Sequence, residues 1–145
     1  HSANALESYL AFSGAQAKGS FNAKEREAVS LAVSQTNGCT YCQAAHTAIA
    51  KMNGFSDEDT LNLRAGTIED QKLNVLTRLA ISITENRGKA DPELIDAFFA
   101  LGYNETALID LVALVTDKVF TNFIGRLAEV PVDFPAAQPL EEALA

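Results

Sequence analysis

Residues Glu27–His46 read EAVSLAVSQTNGCTYCQAAH, and this stretch decides the fold. Its left half continues a segment that starts at Asn22, an N-cap residue with Glu25 three positions on, the capping-box pattern. From Ala23 to about Gln35 the chain is rich in good helix formers and has no glycine or proline. Ala28, Leu31 and Ala32 share an apolar stripe, and Glu27, Ser30 and Ser34 form a polar row along its edge. Asn37-Gly38 then stops the helix, because both residues tolerate the left-handed backbone of a helix end, and Asn37 is also placed to cap the next one. That second helix is expected from about Cys39 to Met52, ending at Asn53-Gly54, with Tyr41, Ala45, Ala48, Ile49 and Met52 as its apolar positions.

The same signals recur outward. A short helix is expected at Leu6–Phe12, followed by a loop over Ser13–Gly19. Ser56 with Asp57, Glu58 and Asp59 opens a short acidic helix ending near Arg64-Ala65-Gly66. Thr67 with Asp70 predicts the cap of a long amphipathic helix through Ile68, Val75, Leu76, Leu79, Ala80 and Ile83 to Arg87-Gly88. Asp91-Pro92-Glu93 combines a cap, a first-turn proline and an acid favoured by the helix dipole, opening a helix that ends at Gly102 with Phe98 and Phe99 in the core. Asn104 caps the last helix, Glu105 to Ala128. Its segment Leu111–Val115 is apolar on every side, so the domain centre or a neighbouring subunit must cover it. Val130–Pro139 holds three prolines and reads as the start of an extended tail, 130–145. Strand-period alternation, repeats, a P-loop and G-x-G-x-x-G are absent. The expectation is all-α: one domain over residues 1–145, a bundle of about six or seven helices.

The bulk numbers narrow the function. The chain has 145 residues, 48% of them apolar, enough for one real core. Its formal charge of −8 disfavours nucleic acid and acidic membrane surfaces as partners. No apolar run reaches the roughly 18 residues that span a bilayer, since Asp110 interrupts Ala107–Val115. The start at His1-Ser2, without methionine or a signal-peptide core, is that expected of a trimmed chain, and His1 is given no role. A bridge between the two cysteines closes too small a loop to stabilise the fold much. A cycling pair of this kind fits a reducing cytoplasm.

Chemistry concentrates in the opening stretch. A C-x-x-C dithiol at a helix start suits redox work, because unpaired N–H groups and the dipole favour a thiolate and the second thiol lies one turn on. His46, four residues after Cys42, stacks on the same face roughly 6 Å away and is placed as a base beside a nucleophile. A carboxylate such as Glu27, on the preceding helix, would orient the imidazole. Helix-start position favours Cys39 as the more exposed thiol, whereas the His46 spacing favours Cys42 as the base-coupled one.

Glu27, Cys39 twelve positions later, Cys42 and His46 match E-x(11)-C-x-x-C-x-x-x-H, and the chain over Lys24–Lys51 resembles alkylhydroperoxidase D-like proteins of the carboxymuconolactone decarboxylase superfamily. The ending Phe120-Thr121-Asn122-Phe123 to Arg126-Leu127-Ala128 is similar, more loosely, to single-repeat peroxidase-related members. The resemblance implies an all-helical fold, trimers or hexamers, and thiol-dependent reduction of hydroperoxides with no bound cofactor. It makes Cys42 the thiol oxidised to a sulfenic acid, Cys39 its resolving partner, and His46 and Glu27 a proton relay. An external dithiol, such as a lipoyl or thioredoxin-like protein, would restore the pair. Two-repeat members carry a histidine where this chain has Tyr41, so that part of their relay is missing or replaced. Decarboxylases of the superfamily lack the cysteine pair, which argues against lactone decarboxylation.

Other readings remain beside this one. Against the favoured redox pair stand two inert buried hydrophobes, a zinc site of Cys39, Cys42 and His46 with Glu27 as a fourth ligand but without the second Cys or His pair such sites usually recruit, and the redox sensor of a non-enzymatic helical oligomer. Tyr41 reads as packing, Asn122 and Arg126 as a surface-facing pair, and the acidic runs Asp57–Asp59 and Glu141-Glu142 as solvated.

Overall fold

The structure, a computed structural model, describes residues 1–143 and is a single all-α bundle. Its helices are α1 (Ala3–Gln16), α2 (Ala23–Thr36), α3 (Thr40–Met52), α4 (Asp57–Ala65), α5 (Gln71–Glu85), α6 (Pro92–Ala100), α7 (Glu105–Leu127) and a short α8 (Leu140–Ala143). No strand occurs among the described residues.

Helix α2 is the axis, packing against α3, α4, α5 and α7. It is polar at both ends and small or apolar between, so it can be buried on two sides. Val29 and Val33 enter one cluster with Leu76, Leu79, Phe98 and Leu111 from α5, α6 and α7. Ala28 and Leu31 enter a second with Ala50, Phe55, Leu63 and Ile68 from α3, α4 and the α4–α5 connection. Each fully buried leucine here contributes about 1.5–3 kcal/mol through burial. The capping box is formed as expected: Glu25 N–H donates to the Asn22 side chain and the Asn22 N–H to Glu25 Oε2. A second box, Ser56 with Asp59, starts α4.

Several boundaries differ from the sequence reading, each for a physical reason. Helix α1 runs well beyond Leu6–Phe12. Ser2 caps its start, and Ser13 and Gly14 continue it, with the Ser13 hydroxyl donating to Asp117 on α7. Helix α5 starts one turn later than Thr67 because Asp70, not Thr67, is the cap. Ile68 is drawn into the second core, and Asn74 Nδ2 donates to the carbonyls of Gly66 and Ile68, which fixes 66–70 as a turn. Phe98 is fully buried and stacks on Tyr103, but Phe99 is 36% exposed. In Leu111–Val115 the cover comes from the domain itself for Leu111, Leu114 and Val115, while Val112 faces outward. The tail is extended only to Pro139 before α8 begins. Asp57, Glu58 and Glu141 are exposed, whereas the Glu142 side chain and residues 144–145 of the expected tail fall outside the described residues.

Candidate active site

The site is built at the joint of α2 and α3. Gly38 takes φ +64, a backbone that side chains resist, and this lets the chain reverse within two residues. The Cys39 N–H then donates to the Ser34 carbonyl, 3.1 Å, tying the new helix to the old. Cys39 itself, rather than Asn37, is the N-cap of α3. Its Sγ accepts from the Cys42 N–H at 3.3 Å. A sulfur at a helix N-terminus faces the positive end of the dipole, which favours a thiolate there. Cys39 and Cys42 are joined as a disulfide across a Cα–Cα distance of 5.3 Å. Cys39 is 1% and Cys42 7% exposed, so Cys42 is the more accessible sulfur, the reverse of what helix-start position suggests.

His46 stands one turn after Cys42, and its Nδ1 lies 2.8 Å from Glu27 Oε2 on α2. Both side chains are 15% exposed, at the border position that the polar row on α2 anticipates. With Nδ1 as the donor, the ring presents Nε2 as its free basic nitrogen. The structure thus brings Glu27 and His46 together across the two helices, with Cys42 one turn and Cys39 two turns before His46. The other members of the polar row, Ser30 and Ser34, are buried.

Around this joint lie residues that sequence reasoning placed elsewhere. Asn122 is not surface-facing. It is fully buried, accepts from Asn37 Nδ2 at 2.9 Å and donates to Ser34 Oγ at 3.1 Å. Arg126 is exposed but donates to the Asn37 carbonyl. Together they fasten α7 to the turn before Cys39. Arg64 is 3% exposed and reaches Gln35, Gln43 and the Gln138 carbonyl of the tail, with burial pushing its pKa down. The apolar stripe proposed for α3 is also corrected. Its buried face is Cys42, Gln43, Ala44 and Ala50, while Ile49 and Met52 are exposed and Tyr41 is half-buried, edge-on to Phe134.

Two clefts reach the sulfurs. An apolar one of about 470 Å³ ends on Cys42, between Tyr9 of α1, Tyr41, and Phe120 and Ile124 of α7. A smaller one of about 300 Å³ ends on Cys39 beside Thr40, Arg126 and Glu129. The walls from α1 and α7 come from residues far along the chain from the motif. Among the described residues no three His, Cys, Asp or Glu side chains are gathered as metal ligands, and no helix is long and apolar enough to cross a membrane.

The fold is shared with known structures. The debrominase Bmp8, as a cysteine-to-alanine variant in complex with 2,3,4-tribromopyrrole, superposes with a TM-score of 0.74 at 15% identity, covering 94% of this chain and 72% of that one. Apo Bmp8 gives 0.71 at 18% identity, over 92% and 73%. An uncharacterized peroxidase-related protein from Silicibacter sp. TM1040 gives 0.70 at 19%, over 93% and 71%. A search of curated proteins by sequence finds no match. Residues 3–70, which contain Glu27, Cys39, Cys42 and His46, match the model of the Carboxymuconolactone decarboxylase family. That match over residues 3–70, together with the common helical fold, makes the chain similar to the carboxymuconolactone decarboxylase family.

Proposed function

We propose that the protein is a thiol-dependent peroxidase that reduces hydroperoxides through a Cys39–Cys42 dithiol–disulfide cycle. The observation that carries this reading is the 2.8 Å Glu27–His46 pair formed across two helices one turn from Cys42, which is bonded to Cys39. In the cycle, His46 takes the Cys42 proton and Glu27 holds the ring and balances its charge. The Cys42 thiolate attacks the terminal peroxide oxygen, the O–O bond breaks, and the alkoxide leaves as alcohol after receiving a proton. The Cys42 sulfenic acid is then attacked by the Cys39 thiolate, forming the disulfide and releasing water. An external dithiol, of lipoyl or thioredoxin-like type, reduces the pair. No bound cofactor enters any step. We take the protein as a homo-oligomer, a trimer or hexamer, covering exposed apolar residues such as Leu10 and Leu127, and as working in the cytoplasm.

The test is steady-state turnover of an alkyl hydroperoxide with several dithiols, beside Cys42→Ser and Cys39→Ser. Turnover that disappears in Cys42→Ser, with a sulfenic acid trapped on Cys42 in Cys39→Ser, supports the proposal. Variants that match the parent overturn it. Disulfide formation without repeated turnover would instead support a redox sensor, and stoichiometric zinc with thiols protected from alkylation a metal-binding module. A second enzymatic reading, reductive debromination, is favoured by the aromatic-lined cleft at Cys42 and by the fold shared with Bmp8. Bromide release from tribromopyrrole under the same dithiols distinguishes it.

A further inference from the structure

Tyr41, Gly125 and Val130 line both clefts, the one that ends on Cys42 and the one that ends on Cys39. Gly125 lies directly against the sulfurs. A Cβ at this position would stand 3.0 Å from Cys39 Sγ and 3.6 Å from Cys42 Sγ. Gly125 sits inside α7 and has no positive φ, so no backbone requirement accounts for it. Glycine is also the poorest helix former after proline. By contrast Gly14, inside α1, has nothing within 4 Å of its missing Cβ. The side chain of α7 is therefore absent at the place where the helix faces both sulfurs.

We propose that Gly125 is a specificity-determining residue of the cysteine pair: its missing side chain keeps both clefts open where they meet the sulfurs, and so sets how bulky a reactant can settle there. Its biological use rests on the thiol-oxidoreductase reading above. Nonbonded heavy atoms ordinarily sit about 3.5–4.0 Å apart, so a methyl at 3.0 Å makes the Cys39 sulfur give way by a few tenths of an ångström and narrows both clefts where they end.

Reduction of the disulfide by dithiothreitol isolates this effect. One reductant thiolate attacks a protein sulfur, the Cys39–Cys42 bond breaks, and the departing cysteine takes a proton. The second reductant thiol then displaces the other cysteine and closes a cyclic disulfide, so two electrons and two protons pass to the protein. Oxidised wild type, Gly125→Ala and Gly14→Ala are treated with dithiothreitol and with the tertiary thiol penicillamine at equal thiolate concentration, and free cysteines are counted by alkylation and mass spectrometry. Gly125→Ala is expected to react at least tenfold more slowly with dithiothreitol and more slowly still with penicillamine, while Gly14→Ala stays within twofold of wild type. Gly125→Ala within twofold of wild type on both thiols overturns the proposal. If Gly125→Ala does not fold, wild type alone decides. Its preference for dithiothreitol over penicillamine should exceed that of free oxidised glutathione at least tenfold, and equal preferences overturn the proposal. No peroxide enters these measurements, so a slowed Gly125→Ala alongside absent hydroperoxide turnover removes the peroxidase and leaves Gly125 standing.

Discussion

Glu25 and Glu27 are two residues apart on one helix and carry the same carboxylate, yet the fold uses them in opposite ways. Glu25 is 5% exposed and saturated: it accepts from the Asn22 N–H and from the Tyr103 hydroxyl at 2.7 Å, and Lys72 Nζ lies 3.1 Å away. Glu27 meets one group, His46, at a site still open to solvent. A buried carboxylate with both oxygens engaged is a fastener. One with a single titratable partner and room beside it can pass a proton. The difference follows from the 100° step between residues on a helix, which turns Glu25 toward α5 and the α6–α7 loop and Glu27 toward α3.

Substitutions sharpen this contrast. The largest effect is expected at the pair itself: Glu27→Gln or His46→Ala should lower kcat/KM for hydroperoxide by about a hundredfold or more, with the thermal midpoint nearly unmoved. An equal loss from Glu25→Gln, measured per folded molecule, would break the division of labour. Next comes Glu25→Ala, expected to cost about 2–3 kcal/mol in urea unfolding, because Tyr103 and Lys72 lose their shared partner and the Asn22 N–H loses its acceptor in the capping box. Its turnover per folded molecule should stay near that of the parent.

The pH response comes third. Burial alone would raise the Glu25 pKa from its ordinary 4.5, but the Tyr103 hydroxyl, the Asn22 N–H and Lys72 outweigh it, and the net shift is downward. A carboxyl held lower in the folded state stabilises the protein above its unfolded value, and that stabilisation is lost as the pH falls through the folded one. The unfolding midpoint of wild type should therefore exceed that of Glu25→Gln at neutral pH, and the gap should close on acidification below about 4.5. A gap independent of pH would show that charge on Glu25 is irrelevant. The smallest effect is Tyr103→Phe, about 1 kcal/mol, since one hydroxyl is lost while its ring still stacks on Phe98 and lies beneath Lys72.

The helix breaks at Asn37-Gly38, Gly66 and Gly102, the capping box at Asn22, the helix start at Ser56 and the first-turn proline at Pro92 were all legible, because each is settled within a few residues of the chain. Helix α1 was only partly legible. It buries none of its residues, so no apolar period marked its extent. Thr67 and Asp70 were both credible caps, and Ile68 decided between them by entering a core made from other helices. Asn122, 88 residues from Ser34, and Arg64, 74 from Gln138, look like surface residues in sequence, because what makes a buried polar group tolerable is a partner that the chain does not place nearby.

By itself, then, the sequence determined that Cys39, Cys42 and His46 share one helix start, since a helical period and a glycine reversal at Gly38 fix them locally. It also marked Glu27 as a carboxylate on the border of a buried helix. The tertiary structure decided that Glu27 meets His46 while Glu25 meets Tyr103, that Cys42 is the more exposed cysteine, and that Gly125 of α7 lies directly against both sulfurs. These depend on how α2, α3 and α7 are rotated and set against one another. That setting is fixed by the packing of the whole core, which spreads its information over residues far from the motif.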